Sequence, residues 1–351
     1  MLLLQRWVAD ARVRCHMWTV CFLLIIALVA AAWLLPHRRI FRFPDRMERD
    51  AVLAVVQWQS VLAMLLLSIW GLGVVVGLCR RCLHFIQLRR FVAGKCARLD
   101  SRSLLQRADV SLASVESSGG GVSQLQCYLT AEVIGPFCWQ LHRPILVLPE
   151  FLMQEDARTL KHILDHEMEH LRTLHPVQHF LQGVCALLFW YHPAVWLAAR
   201  NADLSREFLC DEVAATTNGR VSEYLSTLIK VAERCQSAAS TDVPAGALSF
   251  GDRKSGLLKR SERLIQLATT KSVKRSPHWI TCVSLMLAVT FVVQQLWLPL
   301  NLMASRRSTW SPWPTWTATA LHDCFSIHVR DFELFDERSQ MHELFLDDKP
   351  F

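Results

Sequence analysis

Charge is absent from long stretches of this chain. Met17 to Leu35 contains no charged residue and is long enough to cross a bilayer. Val52 to Leu78 is longer, interrupted only by Gln57, Gln59 and small polar residues, and a third apolar run extends from about Ile280 to Leu300. Each predicts a transmembrane helix. The first runs on into Trp33, Leu34 and Leu35 without a small-residue cleavage signal, which favours a retained anchor over a removed signal peptide. A fourth run, Phe180 to Ala199, is broken by His192-Pro193. It reads as re-entrant, interfacial or packed as a hairpin; the other reading is a full crossing, which would strand everything after it on the opposite side of the membrane.

Between the second and third runs the pattern changes. Leu160, Ile163, Leu164, Leu171 and Leu174 recur every three to four residues, which predicts a helix, and Pro176 closes the segment. Arg143 to Pro149, apolar and rich in branched residues between two prolines, predicts a short strand within a strand-like region around Leu125 to Leu148. Ser117-Ser118-Gly119-Gly120-Gly121 and the stretch Ser237 to Gly246 read as loops, neither with a phosphate-binding signature. The fold expected is a mainly α integral membrane protein with an inserted α+β domain. Its parts are an N-terminal membrane region over residues 1–79, a cytoplasmic domain over 80–276 with a re-entrant or membrane-associated segment at about 180–199, a transmembrane helix over 277–300 and a short extracytoplasmic tail over 301–351.

Composition agrees with a membrane protein: 52% of the 351 residues are hydrophobic and 13 are tryptophan. Charge then orients it. Arg80, Arg81, Arg89, Arg90, Lys95, Arg98, Arg102 and Arg107 follow the second run against Asp100 alone, and Arg253 to Arg275 is similarly basic before the third. Both flanks are expected in the cytoplasm, with the acidic tail outside; the mildly basic loop from Pro36 to Asp50 is the one piece that argues the other way. The net charge of +7 is thereby explained beside a lipid membrane, and no direct nucleic-acid binding is expected. Twelve scattered cysteines form no disulfide framework, and Cys79 and Cys82 are a lone C-x-x-C without a second pair. In the tail, Trp310, Trp313 and Trp316 suggest an interfacial segment, and Asp331 to Leu346 reads either as an acidic docking helix or as unstructured chain.

The chemistry lies in His166-Glu167-Met168-Glu169-His170. On a helix the two histidines stand side by side on one face and can share a metal ion, with Glu167 as general base for an activated water. Burying these groups in an apolar helix is costly without a partner, and a metal is one. A third ligand about twenty residues on would fall near Trp190, where none stands, and Thr173 and Pro176 occupy the glycine and histidine positions of the metzincin extension. The best candidate is Glu207. Asp211, one turn later on the same face, is placed to fix the tautomer of a ligand histidine. Cys210 points elsewhere on that helix and reads as packing.

Four ordered motifs carry a resemblance: Arg143-Pro144-Ile145-Leu146-Val147-Leu148-Pro149; His166-Glu167-x-x-His170; Phe189-Trp190-Tyr191-His192-Pro193-x-x-Trp196; and Arg206-Glu207-x-x-Cys210-Asp211. Together with the later Leu257-Leu258-Lys259-Arg260-x-x-Arg263 they resemble the BlaR/MecR family of integral-membrane zinc metallopeptidases, over roughly Cys96 to Leu300. The resemblance implies a gluzincin-type domain with one Zn2+ held by His166, His170 and Glu207, and Glu167 as catalytic base. Two departures stand out. Members commonly follow the second histidine with an arginine-rich turn ending in aspartate, whereas this chain has Leu171-Arg172-Thr173-Leu174-His175, with His175 read as a turn residue rather than a rival ligand. The 51 residues from Asn301 are too few for the penicillin-binding sensor domain of the β-lactam sensors, so the resemblance implies the peptidase and not antibiotic sensing.

The expected function is hydrolysis of a protein or peptide substrate by zinc-activated water, in regulatory proteolysis of a protein such as a cytosolic repressor. A general membrane quality-control protease and a non-catalytic scaffold are the alternatives. Tyr191, His192 and nearby arginines are candidates to stabilise the oxyanion. Ile145 and Val147 are candidate substrate-binding residues if their strand lies at a sheet edge; an ordinary core strand is the other reading.

Overall fold

The computed structural model describes residues 1–34, 49–108, 125–132, 135–140, 143–217, 219–237, 254–269, 279–295 and 324. The loops expected at 117–121 and 237–246 lie wholly or almost wholly outside them, as do the tail tryptophans and the acidic stretch. The chain divides into two compact units, one of Met1–Thr19 with Val74–Trp279 and the other of Val20–Gly73 with Ile280–Phe351.

The protein is mostly helical with one small sheet. Helix α1 spans Ala11–Leu34. It starts earlier than the apolar run because Asp10 caps it, its Oδ1 accepting from the backbone N–H of Arg12 at 2.9 Å and of Val13 at 3.3 Å. Helix α2 spans Arg49–Lys95 and continues well past Leu78 into the basic segment. No proline interrupts it there, and its last turns have apolar work to do on the sheet. Among the described residues two helical stretches are long and apolar enough to cross a membrane, Ala11–Ala32 and Val61–Lys95. The third run contributes a shorter helix, α9, over Trp279–Gln295. In the second unit α2 and α9 expose Val61, Leu65, Leu72, Leu285, Val289 and Phe291.

In the first unit, strands β1 (Cys96–Leu99), β2 (Gln126–Thr130), β3 (Phe137–Gln140) and β4 (Pro144–Pro149) form a sheet of order β1-β2-β4-β3. β4 runs parallel to β2 and antiparallel to β3. Alternation along β4 sorts its side chains between two cores. Ile145 and Val147 face Leu88 and Phe91 of α2, while Leu146 and Leu148 face Leu104, Leu105 of helix α3 (Ser101–Arg107) and Leu160, Ile163 and Leu164 of helix α4 (Ala157–Arg172). A strand covered on both faces needs an unbroken apolar run, which is why this segment stood out in the sequence.

α4 ends at Arg172, and the chain reverses at Leu174 with φ 56°, a left-handed conformation costing about 1–2 kcal/mol for a residue with a Cβ. Pro176 does not end α4; it sits in the first turn of α5 (His175–Leu188), where its missing N–H costs nothing. The fourth apolar run is divided between α5 and α6 (Pro193–Thr217), joined at residues 189–192. α6 packs along α4. Helices α7 (Val221–Ser237) and α8 (Lys254–Thr269) close on α6 through Ala214, Ala215, Tyr224, Leu228 and Leu264.

Leu146 is wholly buried between the sheet and α4, whereas Leu258 on α8 is 60% exposed. Leu146→Ala is expected to cost about 2–5 kcal/mol and lower the thermal midpoint of the detergent-solubilised protein. Leu258→Ala should stay within about 0.5 kcal/mol in the same measurement.

Candidate metal centre

Helix α4 turns a polar stripe towards α6, α7 and α8 because its opposite face is spent on the sheet. His166 and His170 are neighbours on that stripe, their Nε2 atoms 3.2 Å apart. Glu207 of α6 brings Oε2 to 3.5 Å from His166 Nε2 and Oε1 to 3.5 Å from His170 Nε2. Donors at tetrahedral angles about 2.0–2.1 Å from one zinc ion stand about 3.3 Å apart. The three groups therefore fit around a single ion. Glu207 keeps 29% of its side chain accessible, so the group is approachable, while His166 is buried.

The remaining nitrogen of each histidine is engaged. His166 Nδ1 stands 3.2 Å from Asp211 Oδ1 and 3.0 Å from the Tyr224 hydroxyl, and that hydroxyl donates to Asp211 at 2.6 Å. With the tyrosine proton committed to Asp211, His166 Nδ1–H is the donor to this pair and Nε2 is turned towards His170 and Glu207. Asp211 and Glu207 share a cation: Arg260 of α8 donates from Nε and Nη2 to Asp211 at 2.7 and 2.6 Å and lies with Nη1 3.0 Å from Glu207 Oε2.

Charge follows this geometry. Burial alone would raise Asp211, yet Arg260 and His166 bring it down to about 2, and the same guanidinium holds Glu207 well below the usual carboxylate range. Burial opposes a charge on His166, but Asp211 and Glu207 outweigh it and lift it to about 9. Burial takes His170 down to about 3. The pocket thus calls for one positive charge between the Nε2 atoms and Glu207. Glu167, buried beside Cys138 of β3, is pushed up to about 7 by burial, with Glu207 adding to the rise.

Cys210 is closer to the centre than packing alone suggests. His166, His170 and Cys210 each offer a ligand atom, all within 4.8 Å of one another. Without a metal its thiol is held in the protonated form by burial and the nearby acids, and it lies 3.6 Å from His175 Nδ1, whereas the Glu207 oxygens stand 3.5 Å from both Nε2 atoms of the histidine pair. His175, buried at the start of α5, places Nδ1 2.9 Å from Nδ1 of His170, on the far side of that ring from Nε2.

Other sequence candidates fare differently. Ile145 and Val147 belong to a strand paired on both sides, and their side chains face α2, away from α4; the sheet-edge reading of that strand is therefore corrected in favour of the core reading. The strand beside Glu167 with one edge unpaired among the described residues is β3. Tyr191 is 56% exposed at the α5–α6 turn, where its ring packs with Phe189, Trp190 and His192. Arg206 turns to Gln182 and Asp203. Tyr224 carried no signal in the sequence. Arg260 appeared only within a motif, and its role emerges once α8 folds over α6.

A helix-borne histidine pair with a carboxylate from a second helix is the arrangement of the zinc peptidases whose motif is His-Glu-x-x-His. Residues 44–260, more than half of the chain, match the BlaR1 peptidase M56 family, and the chain belongs to that family. A 76-residue stretch is 25% identical to the regulatory protein BlaR1 of Bacillus licheniformis, covering 22% of this chain and 13% of that protein.

Arg260→Lys retains a charge but loses the fork that spans both acids. Breaking this buried network is expected to cost roughly 3–5 kcal/mol, seen as a lower thermal midpoint, and lysine should recover little of it relative to Arg260→Ala.

Proposed function

We propose that this protein is a membrane-embedded zinc endopeptidase acting on a protein substrate presented in the cytoplasm. The observation that carries the proposal is the triangle of His166, His170 and Glu207, whose edges of 3.2, 3.5 and 3.5 Å suit one tetrahedral zinc ion. Zinc, when bound, supplies Lewis-acid polarisation of a water molecule and of the scissile carbonyl. Glu167 takes the proton from that water as its oxygen adds to the peptide carbon, and passes it to the nitrogen of the breaking C–N bond. Asp211 and Tyr224 orient His166 through Nδ1, turning Nε2 towards His170 and Glu207, and Arg260 keeps both acids ionised.

An extended peptide can add to the edge of β3 that is unpaired among the described residues, exchanging main-chain hydrogen bonds and bringing its backbone alongside Glu167. That mode reads backbone rather than sequence and suits an endopeptidase. The apolar surfaces of α1, α2 and α9 are the lipid-facing part in this reading, and the basic residues following the second apolar run support a cytoplasmic catalytic unit. Membership of the BlaR1 peptidase family supports regulatory proteolysis, with a repressor as the kind of substrate expected.

Purified in detergent, the parent is expected to carry close to one zinc per chain by elemental analysis and to cleave fluorescently labelled casein. Glu167→Ala should keep the zinc and lose about 10²–10⁴ of the rate. Glu207→Ala should lose the metal as well. A parent that takes up no zinc when metal is supplied at neutral pH overturns the proposal.

A further inference from the structure

The first turns of α1 are built into the metal centre. Arg12 Nη2 lies 3.6 Å from the buried Glu169 of α4, Arg263 of α8 donates to the carbonyl of Ala9 at 2.8 Å, and Ala11 and Cys15 pack on Leu209 of α6. Cys15 goes furthest. Its buried Sγ stands 3.4 Å from His175 Nε2 and 3.3 Å from Gln178 Oε1.

Hydrogen-bond polarity can be followed through this row from its far end. Gln178 Nε2 donates to the Thr173 carbonyl at 2.9 Å, so Oε1 is the oxygen facing Cys15 and can only accept. Cys15 must then give its S–H to Gln178 and offer its sulfur lone pairs to His175. His175 accordingly carries its proton on Nε2, which leaves Nδ1 bare. His170 Nδ1, 2.9 Å away, is left as the donor, and a neutral His170 with its proton on Nδ1 has Nε2 free towards His166 and Glu207. Cys210, 3.6 Å from His175 Nδ1 with a protonated thiol, is compatible with that nitrogen as an acceptor.

We propose that Cys15 of the first helix is a positioning residue for the metal ligand His170, acting through His175, so that the seating of α1 sets the affinity of the centre for zinc. Asp211 and Tyr224 do this for His166 from within the catalytic helices; the equivalent for His170 comes from a helix whose continuation is long and apolar enough to span a membrane. The proposal rests on the zinc reading above. It makes α1 a route by which a displacement in the bilayer alters metal binding, since withdrawing Cys15 removes the constraint on the His175 tautomer.

The test is a comparison of Cys15→Ser with Cys15→Val in the full-length protein, using zinc alone as probe in competition with a chromophoric chelator. Serine keeps the donor and the acceptor; valine fills the space among Ala11 and Leu209 and keeps neither. The relay predicts zinc affinity within about threefold of the parent for serine and about 10–100-fold weaker for valine. The d–d spectrum of the cobalt-loaded protein should be parent-like for serine and altered for valine. A packing role predicts the reverse order, and equal affinities for both variants overturn the relay. Gln178→Met, which removes the terminal acceptor while leaving every residue of α1 unchanged, should weaken zinc severalfold and gives a reading if valine prevents folding; an unchanged affinity there also overturns it. Failure of the parent to bind zinc would instead overturn the enzyme assignment.

Discussion

Everything in the catalytic unit depends on one buried cation placed between two carboxylates. Asp211 and Glu207 stand one helical turn apart on α6, where their mutual repulsion and the loss of water would favour protonating one of them. Arg260 prevents this by presenting three of its nitrogen–hydrogen groups to the two acids at once. The geometry suits arginine, whose planar fork gives Asp211 two fixed bonds and reaches Glu207 with a third nitrogen, an arrangement a compact ammonium does not reproduce. The cation arrives from α8, far along the chain. Closure of α8 over α6, through Leu264 against Ala214, Ala215 and Tyr224, is thus coupled to ionisation of Glu207. The apolar cluster contributes the packing energy that offsets burying the charges, and the charges select the register in which the helices pack.

The histidine pair obeys a complementary constraint. Two imidazoles with Nε2 atoms 3.2 Å apart either share a proton or share a metal. Partners on both Nδ1 atoms, supplied by Asp211 and Tyr224 on one side and His175 on the other, turn the lone pairs inward. A pocket arranged this way favours a shared cation, and the free energy of a metal bound there would add to the packing of α4, α6, α7 and α8.

How much of this was legible in the sequence divides along lines of distance. The helix carrying His166 and His170 and the apolar strand ending at Pro149 were readable because both are local patterns, a period near 3.6 in one case and an unbroken branched run in the other. Glu207 and Asp211 were readable as candidates from their one-turn spacing beside the motif. Tyr224, Cys138 and Cys15 were not, since each matters only for what lies across a packed interface and none sits in a pattern of its own. The place of β4 in the sheet was also beyond the sequence. A run of Ile-Leu-Val-Leu fits an edge or a centre equally, and only the pairing of β2 and β3 on either side decides it. The extent of α1 shows a further limit: hydropathy marks where a membrane can hold a helix, whereas the helix begins where Asp10 caps it, in a polar turn that the hydropathy pattern passes over.

That polar turn changes how the two halves of the sequence relate. A membrane anchor is ordinarily a tether, indifferent to the chemistry it tethers, and its flanking turn would then be solvated and variable in placement. Here the flank is buried: Ala11, Cys15 and Met17 are almost inaccessible, and Arg12 and Ala9 meet the helices that carry the site. A short segment cannot be both freely mobile and packed to this degree, because each buried contact must be broken for it to move. Motion of α1 along its axis by one turn, about 5.4 Å, would carry Cys15 beyond reach of His175 and part Ala11 from Leu209 and Arg12 from Glu169. The hydrogen-bond polarity around His170 is therefore tied to the seating of the first helix, at the cost of those packed contacts.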